Sequence, residues 1–436
     1  MKKIVFVLSL VLIMIFSSVN VFAAADEIII TIDSNKIEFN NDLGYPFVDT
    51  NNRTLVPFRA VLEKFGASVE WNEEIRSAVA VKDGITITVP VDQLYITKNG
   101  EQIATDTAAK IVNGRTYLPI RAVLEAFGSD VQWDQGLKTV VITTSPVDAK
   151  AILAEASSKS YDWKNYDANI EMNMSMNVPD DAGSVQEMNM KMKMFMTIFM
   201  NPMKAKVSAD MVMNVMGQEI SQPVMEMYLS MDDTTYTTYM GMTGNDGNLT
   251  WMKSSMKDEM FAKFINYDKA TVQANKELME KYLKDVKYFG KYSDDKGRTL
   301  IRMQYTMSTD IYKDMLGEYT DTLSASGNEQ DAMTSQVFGM LTDGSLGDLT
   351  FIAYIDESTK EIVKYEMDLS SMMSGMMNAM TGMMGEMTES DKEMLNSMKV
   401  TMFMEISNVN KAADFVIPEE ALNAPEMTEA LETEAQ

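Results

Sequence analysis

A segment written twice limits the folds open to this chain more than any other feature: RTLVPFRAVLEKFGASVEW, Arg53 to Trp71, returns as RTYLPIRAVLEAFGSDVQW, Arg115 to Trp133. So close a self-match at a constant offset means that one supersecondary unit occurs twice, and each copy can be read against the other. In the first copy a short β-prone run, Thr54 to Val56, meets Pro57 at a position suited to a helix start; Ala60 to Phe65 are good helix residues, and Gly66 supplies a left-handed stop. Val69 and Trp71 then alternate with polar neighbours, as a half-buried strand does. The second copy repeats each mark with Pro119, Ala122 to Phe127, Gly128, Val131 and Trp133. Each copy therefore predicts strand, helix, strand. Asn99-Gly100 and Asn113-Gly114 are hairpin signals. Ile28 to Ile32, Val79 to Val81, Ile85 to Val89 and Val140 to Thr143 predict further strands.

Ahead of the repeats, Lys2 and Lys3 precede an apolar run from Ile4 to Phe16, followed by small residues at Ala23, Ala24 and Ala25. That is the layout of a secretory signal peptide over residues 1–25. The run is shorter than the roughly 20 residues that span a bilayer, so the expectation is export with cleavage near Ala24 or Asp26 and no transmembrane segment in the mature chain. With Cys 0 there is neither a lipoprotein attachment site nor a disulfide, and the 436 residues must bury a conventional core. A net charge of -26 argues against nucleic acid and anionic headgroups as partners, because phosphate binding depends on clustered Lys and Arg. With His 0 and Cys 0 there is no Ser-His-Asp triad, no Cys nucleophile and no His-ligated zinc. The sequence also lacks a phosphate loop and a complete calcium loop. It reads as non-enzymatic, with no cofactor.

After Ser145-Pro146-Val147 and a short helix, Ala149 to Ser157, methionine becomes the dominant apolar residue. Met172, Met174 and Met176 alternate with Asn173, Ser175 and Asn177; Met188, Met190, Met192, Met194 and Met196, then Met211 and Met213, then Met225 and Met227, do the same. Period two places these thioethers on one face of successive strands and mostly polar side chains on the other. Asn201-Pro202, Gly217, Asp232-Asp233 and Gly244 to Asn248 punctuate the runs as a meander would be. The sequence predicts a helical stretch from Lys257 to Tyr288, and hairpins around Asp294-Asp295-Lys296-Gly297 and Ser358-Thr359. It further predicts a last strand from Thr401 to Val409, a loop from Gly327 to Gln336 and a disordered acidic tail over residues 425–436.

Leu55-Val56-Pro57-Phe58-Arg59-Ala60, then Phe65-Gly66, then Val69-x-Trp71, and the second copy of this pattern, resemble the copper amine oxidase amino-terminal stalk domain of many exported Firmicutes proteins, over roughly Glu27 to Thr144. In the oxidases the stalk carries neither copper nor quinone. The resemblance thus implies a surface module, residues 26–145, that associates with a wall polymer. Asn201-Pro202-Met203-Lys204, Glu226-Met227-Tyr228, Trp251-Met252-Lys253, Tyr354-Ile355-Asp356 with Thr359, and Phe415-Val416-Ile417-Pro418 resemble the LolA and LppX-like envelope carriers. For residues 149–424 this implies a bent antiparallel sheet, or half-barrel, whose hollow is plugged by helices and holds acyl chains. The expected fold class is α+β: a duplicated small sheet-plus-helix stalk domain, then a large curved antiparallel sheet with plugging helices. Those carriers are commonly anchored through a Cys. Here the doubled stalk is expected to take the anchor's place, giving a secreted, cell-wall-associated protein of a Gram-positive bacterium.

Three roles for the methionines stay open. They are core filler; or they line an apolar cavity whose pliable walls adapt to a lipid or other apolar small molecule; or they are soft ligands for Cu(I). The cavity reading assigns ligand binding to Met172, Met174, Met176, Met190, Met192, Met194, Met211, Met213, Met225 and Met227, with no metal. The alternatives are a structural or adhesive surface protein without a ligand, and a Cu(I) protein, for which Met372 to Met387 at helical spacing is the best segment; that segment also reads as a plug or lid. In the repeats, Arg59 with Glu63 and Arg121 with Glu125 read as i, i+4 pairs or as a polar recognition site, and Trp71 and Trp133 as core or as sugar platforms.

Overall fold

The computed structural model describes residues 27–179, 185–215, 218–232, 235–244, 246–257, 269–325, 335, 339, 347–374 and 389–426. They fall into two compact units, one of residues 27–149 with 287–302, the other of residues 150–286 with 303–426.

The first unit carries β1 (Ile29–Ile32), β2 (Asn35–Lys36), β3 (Phe47–Val48), β4 (Thr54–Pro57), α1 (Phe58–Lys64), β5 (Ser68–Asn72), β6 (Ser77–Lys82), β7 (Ile85–Pro90), β8 (Tyr95–Lys98), β9 (Glu101–Ala104), β10 (Lys110–Val112), β11 (Arg115–Pro119), α2 (Ile120–Ala126), β12 (Asp130–Asp134) and β13 (Thr139–Thr143). Each copy of the repeated segment folds as strand, helix, strand. Gly66 and Gly128 stop the two helices at φ +87 and +93, a region open to glycine at little cost. Asn99 and Gly100, and Asn113 and Gly114, have positive φ throughout, which the tight hairpin turn needs.

The copies meet through β4 and β11, which pair antiparallel with Val56 opposite Leu118 and with Leu55 opposite Pro119 and Pro57 opposite Tyr117. These are equivalent positions, so a local two-fold relates the copies about Val56 and Leu118, both fully buried. Phe65 and Phe127, equivalent again, bring their rings to 5.6 Å. Val61, Leu62, Val123 and Leu124 of the two helices lie in one apolar cluster. Strands β12-β13-β1-β2, β10-β11-β4-β3 and β5-β6-β7-β8-β9 form three sheets. The segment's first strand, β1, runs parallel to its last, β13. Within this unit Arg302 donates two hydrogen bonds to Asp134, at 2.6 and 3.1 Å, with both side chains 2% exposed.

The remainder of the chain carries one large sheet. After α3 (Ala149–Ser160) come β14 (Asn165–Pro179), β15 (Val185–Met200), β16 (Met203–Val215), β17 (Gln218–Asp232), β18 (Thr235–Thr243), β19 (Leu249–Lys257), α4 (Lys269–Tyr282), β20 (Leu283–Ser293), β21 (Thr299–Met307), α5 (Asp310–Ala325), β22 (Leu349–Asp356), β23 (Ile362–Asp368), α6 (Glu389–Ser397), β24 (Lys399–Ser407) and α7 (Glu419–Leu422). The eleven strands lie in the order β19-β18-β17-β16-β15-β14-β24-β23-β22-β21-β20. Two meanders thus join where the first strand, β14, pairs antiparallel with the last, β24. At the β19 edge the backbone N–H of Lys253 donates to the Pro425 carbonyl at 3.0 Å and its Nζ to the Leu422 carbonyl at 3.0 Å. The chain's own terminal segment therefore blunts an edge that is otherwise open to pairing with other chains.

Several elements differ from the sequence expectation. The helix expected over Lys257 to Tyr288 is Lys269–Tyr282 among the described residues, while Lys257 ends β19 and Leu283 begins β20. Lys281 Nζ and Tyr282 Oη both donate to Asp314 at 2.6 Å, holding the end of α4 to α5. Helices α5 and α6 were not anticipated; the start of α5 carries a Ser308 hydroxyl that accepts from the Asp310 N–H at 3.4 Å, the kind of capping signal that marks a helix start. Of the expected acidic tail, Glu426 forms a parallel bridge with Lys253, and residues 427–436 lie outside the described residues. The expected loop Gly327 to Gln336, except Ser335, and most of Met372 to Met387 lie outside them as well.

Candidate functional site

The register of the large sheet puts the alternating methionines on one face. Met367, Met402, Met172, Met192 and Met211 stand opposite one another in a row across β23, β24, β14, β15 and β16. A neighbouring row runs Met404, Ile170, Met194, Ala209, Met225, Met242. The next runs Ile406, Ala168, Met196, Val207, Met227, Met240, Met252. On the other side of the methionine row, Val400, Met174 and Met190 follow, then Met176 opposite Met188. Adjacent strands lie about 4.8 Å apart, so the thioethers of one row touch or nearly touch.

Burial changes steeply along this face. Met194 and Met227 are buried, at 3% and 1% exposure, and pack in the apolar core with Met196, Val207 and Leu229. Met172, Met174, Met176, Met190, Met192, Met211 and Met225 are half-buried, and Met188 is 46% exposed. The backbone of Met213 pairs with Ile220 in the same sheet; its side chain is outside the described residues. Leu369, Met372, Leu395 and Met398 join the same cluster, so residues of α6 and of the segment after β23 cover part of the face. A bulge in β17 between Pro223 and Met225 shifts the alternation by one, so Met211 faces Gln222 instead of another apolar residue. At the densely packed end, Trp163 meets Tyr166 edge-on at 5.3 Å, and its buried Nε1–H has no acceptor among the described residues.

The opposite face is mostly polar, although Tyr228, Phe403 and Val212 are buried on it. Lys191 and Lys193 both bond Glu219, at 2.9 and 3.0 Å, and the Glu219 hydrogen bond raises the Lys191 pKa. Thr197 and Asn408 both donate to the buried Asp167 at 2.7 Å. One sheet thus separates a soft apolar face from a mostly polar one, and the chemistry available to the apolar face is dispersion and burial.

The repeats hold a cleft of about 1220 Å³ whose lining includes Tyr45, Arg121, Glu125, Gln132, Trp133 and Gln135. The two copies differ here. Arg59 and Glu63 form an exposed i, i+4 pair at 3.4 Å, whereas their equivalents Arg121 and Glu125 line the cleft. Partial burial, aided by Asp130 and opposed by Arg121, raises the Glu125 pKa. Trp71 donates its indole N–H to Glu73; Trp133 donates to Gln135 at 2.8 Å. Sequence reasoning picked out Arg121, Glu125 and Trp133 but missed Tyr45, Gln132 and Gln135. Reading the copies against each other finds the glutamines, because Glu70 and Glu73 of the first become Gln132 and Gln135 in the second.

Among the described residues no group of three or more His, Cys, Asp or Glu side chains is arranged to hold a metal ion, and no helix is long and apolar enough to cross a membrane. A comparison with curated proteins finds no match. Residues 31–142 match the copper amine oxidase N-terminal domain, the stalk-like domain that the repeats resemble, and no catalytic family is among the matches. Residues 148–426, more than half of the chain, match a family of unknown function; the protein belongs to that family, DUF6612, with a copper amine oxidase N-terminal domain preceding the family region.

Proposed function

We propose that this is an exported, cell-wall-associated, non-enzymatic protein that holds a lipid or similar apolar molecule against the half-buried methionine face of its large sheet. The observation that carries this reading is the row Met367, Met402, Met172, Met192, Met211, which continues into the half-buried Met174, Met176 and Met190. A rigid interior favours Leu, Ile and Val, whose rotamers are well defined; a face built mainly from flexible, polarizable thioethers suits contents of variable shape. Each ligand methylene buried there contributes about 0.8 kcal/mol. Met194 and Met227 form the floor of the face, and Met172, Met174, Met176, Met190, Met192, Met211 and Met225 its contact surface. The apolar run Ile4 to Phe16 supports export, and the match to the stalk-like domain supports wall association.

The test uses the full chain. It is purified from an exporting host, extracted with organic solvent and titrated with cis-parinaric acid. Saturable binding is expected, weakened at least tenfold by Met192→Lys and retained by Met192→Leu. Absence of both an extractable lipid and probe binding overturns the carrier reading and leaves a tethered scaffold.

A further inference from the structure

The cleft in the repeat unit is a built polar site, and its chemistry differs from that of its counterpart in the other copy. Gln132 donates its amide nitrogen to Asp130 at 2.9 and 3.1 Å, which leaves its carbonyl oxygen to accept. Gln135 uses its carbonyl to accept from the Trp133 indole at 2.8 Å, which leaves its NH₂ to donate. The cleft thus presents an amide acceptor and an amide donor, the complement of a secondary amide, which offers one N–H and one C=O. Beside them stand the indole of Trp133 and the phenol of Tyr45, the latter 48% exposed, each able to take the apolar face of a pyranose ring.

Charge narrows the ligand further. Glu27, Asp106 and Glu125 face Arg53, Arg121 and Lys138 in the lining, so the cleft is balanced although the chain as a whole carries -26. A polyanion would need a surplus of cations there. The volume, about 1220 Å³, exceeds the roughly 300–1,000 Å³ of ordinary small-molecule pockets, which suits an extended oligomer better than a single sugar.

We infer that this cleft binds a neutral glycan strand carrying N-acetyl groups, with Trp133 and Tyr45 as stacking platforms, Gln132 and Gln135 reading the acetamido group, and Arg121 and Glu125 bonding ring hydroxyls. The inference rests on the proposed association with a wall polymer and gives that association a site and a ligand class. It is independent of the methionine face.

The internal repeat supplies the control. The full-length chain is titrated calorimetrically with a β-1,4-linked N-acetylglucosamine hexamer, with circular dichroism confirming that every variant is folded. Saturable binding is expected, reduced at least tenfold in Arg121→Ala, in Tyr45→Ala and in the double variant Gln132→Ala/Gln135→Ala. Arg59→Ala, at the equivalent position outside the cleft, should bind as the parent does. No heat with the hexamer, equal losses in Arg59→Ala and Arg121→Ala, or tighter binding of poly(glycerol phosphate) than of the hexamer would each overturn it. Cell fractionation separates the two claims: hexamer binding without surface retention refutes wall association and leaves the cleft, and retention without hexamer binding does the reverse.

Discussion

Replacing Asp134 or Arg302 tests how the first compact unit is held together. Asp134 directly follows the second repeat copy and Arg302 lies far along the chain within the DUF6612 match, yet both belong to one compact unit and their side chains are each 2% exposed. Two unit charges about 4 Å apart attract by about 4 kcal/mol at an effective dielectric of about 20, and the cost of removing both from water largely offsets that. Asp134→Asn or Arg302→Met breaks this buried pair and is expected to cost about 3–5 kcal/mol. Asp134→Leu with Arg302→Met removes both charges and should be less destabilising than the worse single variant. For a unit of this size the single variants would lower Tm by about 6–20 °C. Of the four tryptophans, Trp71 and Trp133 lie in this unit and Trp163 and Trp251 in the other. Thermal unfolding followed by fluorescence in a Trp163→Phe/Trp251→Phe background therefore reports on the right unit. Single-variant losses below about 1 kcal/mol, or a double variant as unstable as the worse single, would refute the reasoning.

Two further outcomes follow from named side chains. Asp49 has its pKa lowered from 3.8 to about 2, chiefly by the Thr107 hydroxyl bond at 2.7 Å, with the Arg53 and Asn51 backbone amides adding to it. A depressed folded-state pKa contributes stability that is fully present above the unfolded value and lost as pH falls through the folded one. The contribution is on the order of 2 kcal/mol and should fade between about pH 4 and pH 2, and acid titration of Asp49→Asn should show a flatter stability curve across that window. In Gly128→Ala the new Cβ meets nothing within 4 Å, so any loss comes from the backbone at φ +93. It should be about 1–2 kcal/mol by urea unfolding, with Gly128→Asn milder; a neutral Gly128→Ala would show that the left-handed stop is not what holds this turn.

Much of the fold was legible because its signals are local. The proline, the helix run, the glycine stop and the alternating strand recur in both copies, and a period of two assigns each methionine a face whatever its neighbours are. The same face, read from Met172 to Met227, is the one the register builds. Helices α5 and α6 are about as amphipathic as α4, so amphipathy does not explain why only α4 is expected from the sequence, and the helix before β20 reads too long because charged residues continue past Tyr282. Of the cleft residues, Gln132 and Gln135 become visible when the two copies are aligned, whereas Tyr45 lies outside the repeat and carries no signal of its own.

What the sequence determined by itself is the strand-helix-strand pattern of the segment written twice and the division of the large sheet into a thioether face and a mostly polar face, since both follow from spacing along the chain. Tertiary structure alone decided that β14 pairs with β24, that Met194 and Met227 are floor while Met172 and Met192 are half-buried, and that Arg302 neutralises Asp134. The physical reason is that periodicity fixes the direction of a side chain relative to its own strand. Burial and charge pairing depend on which distant segment comes to lie against it.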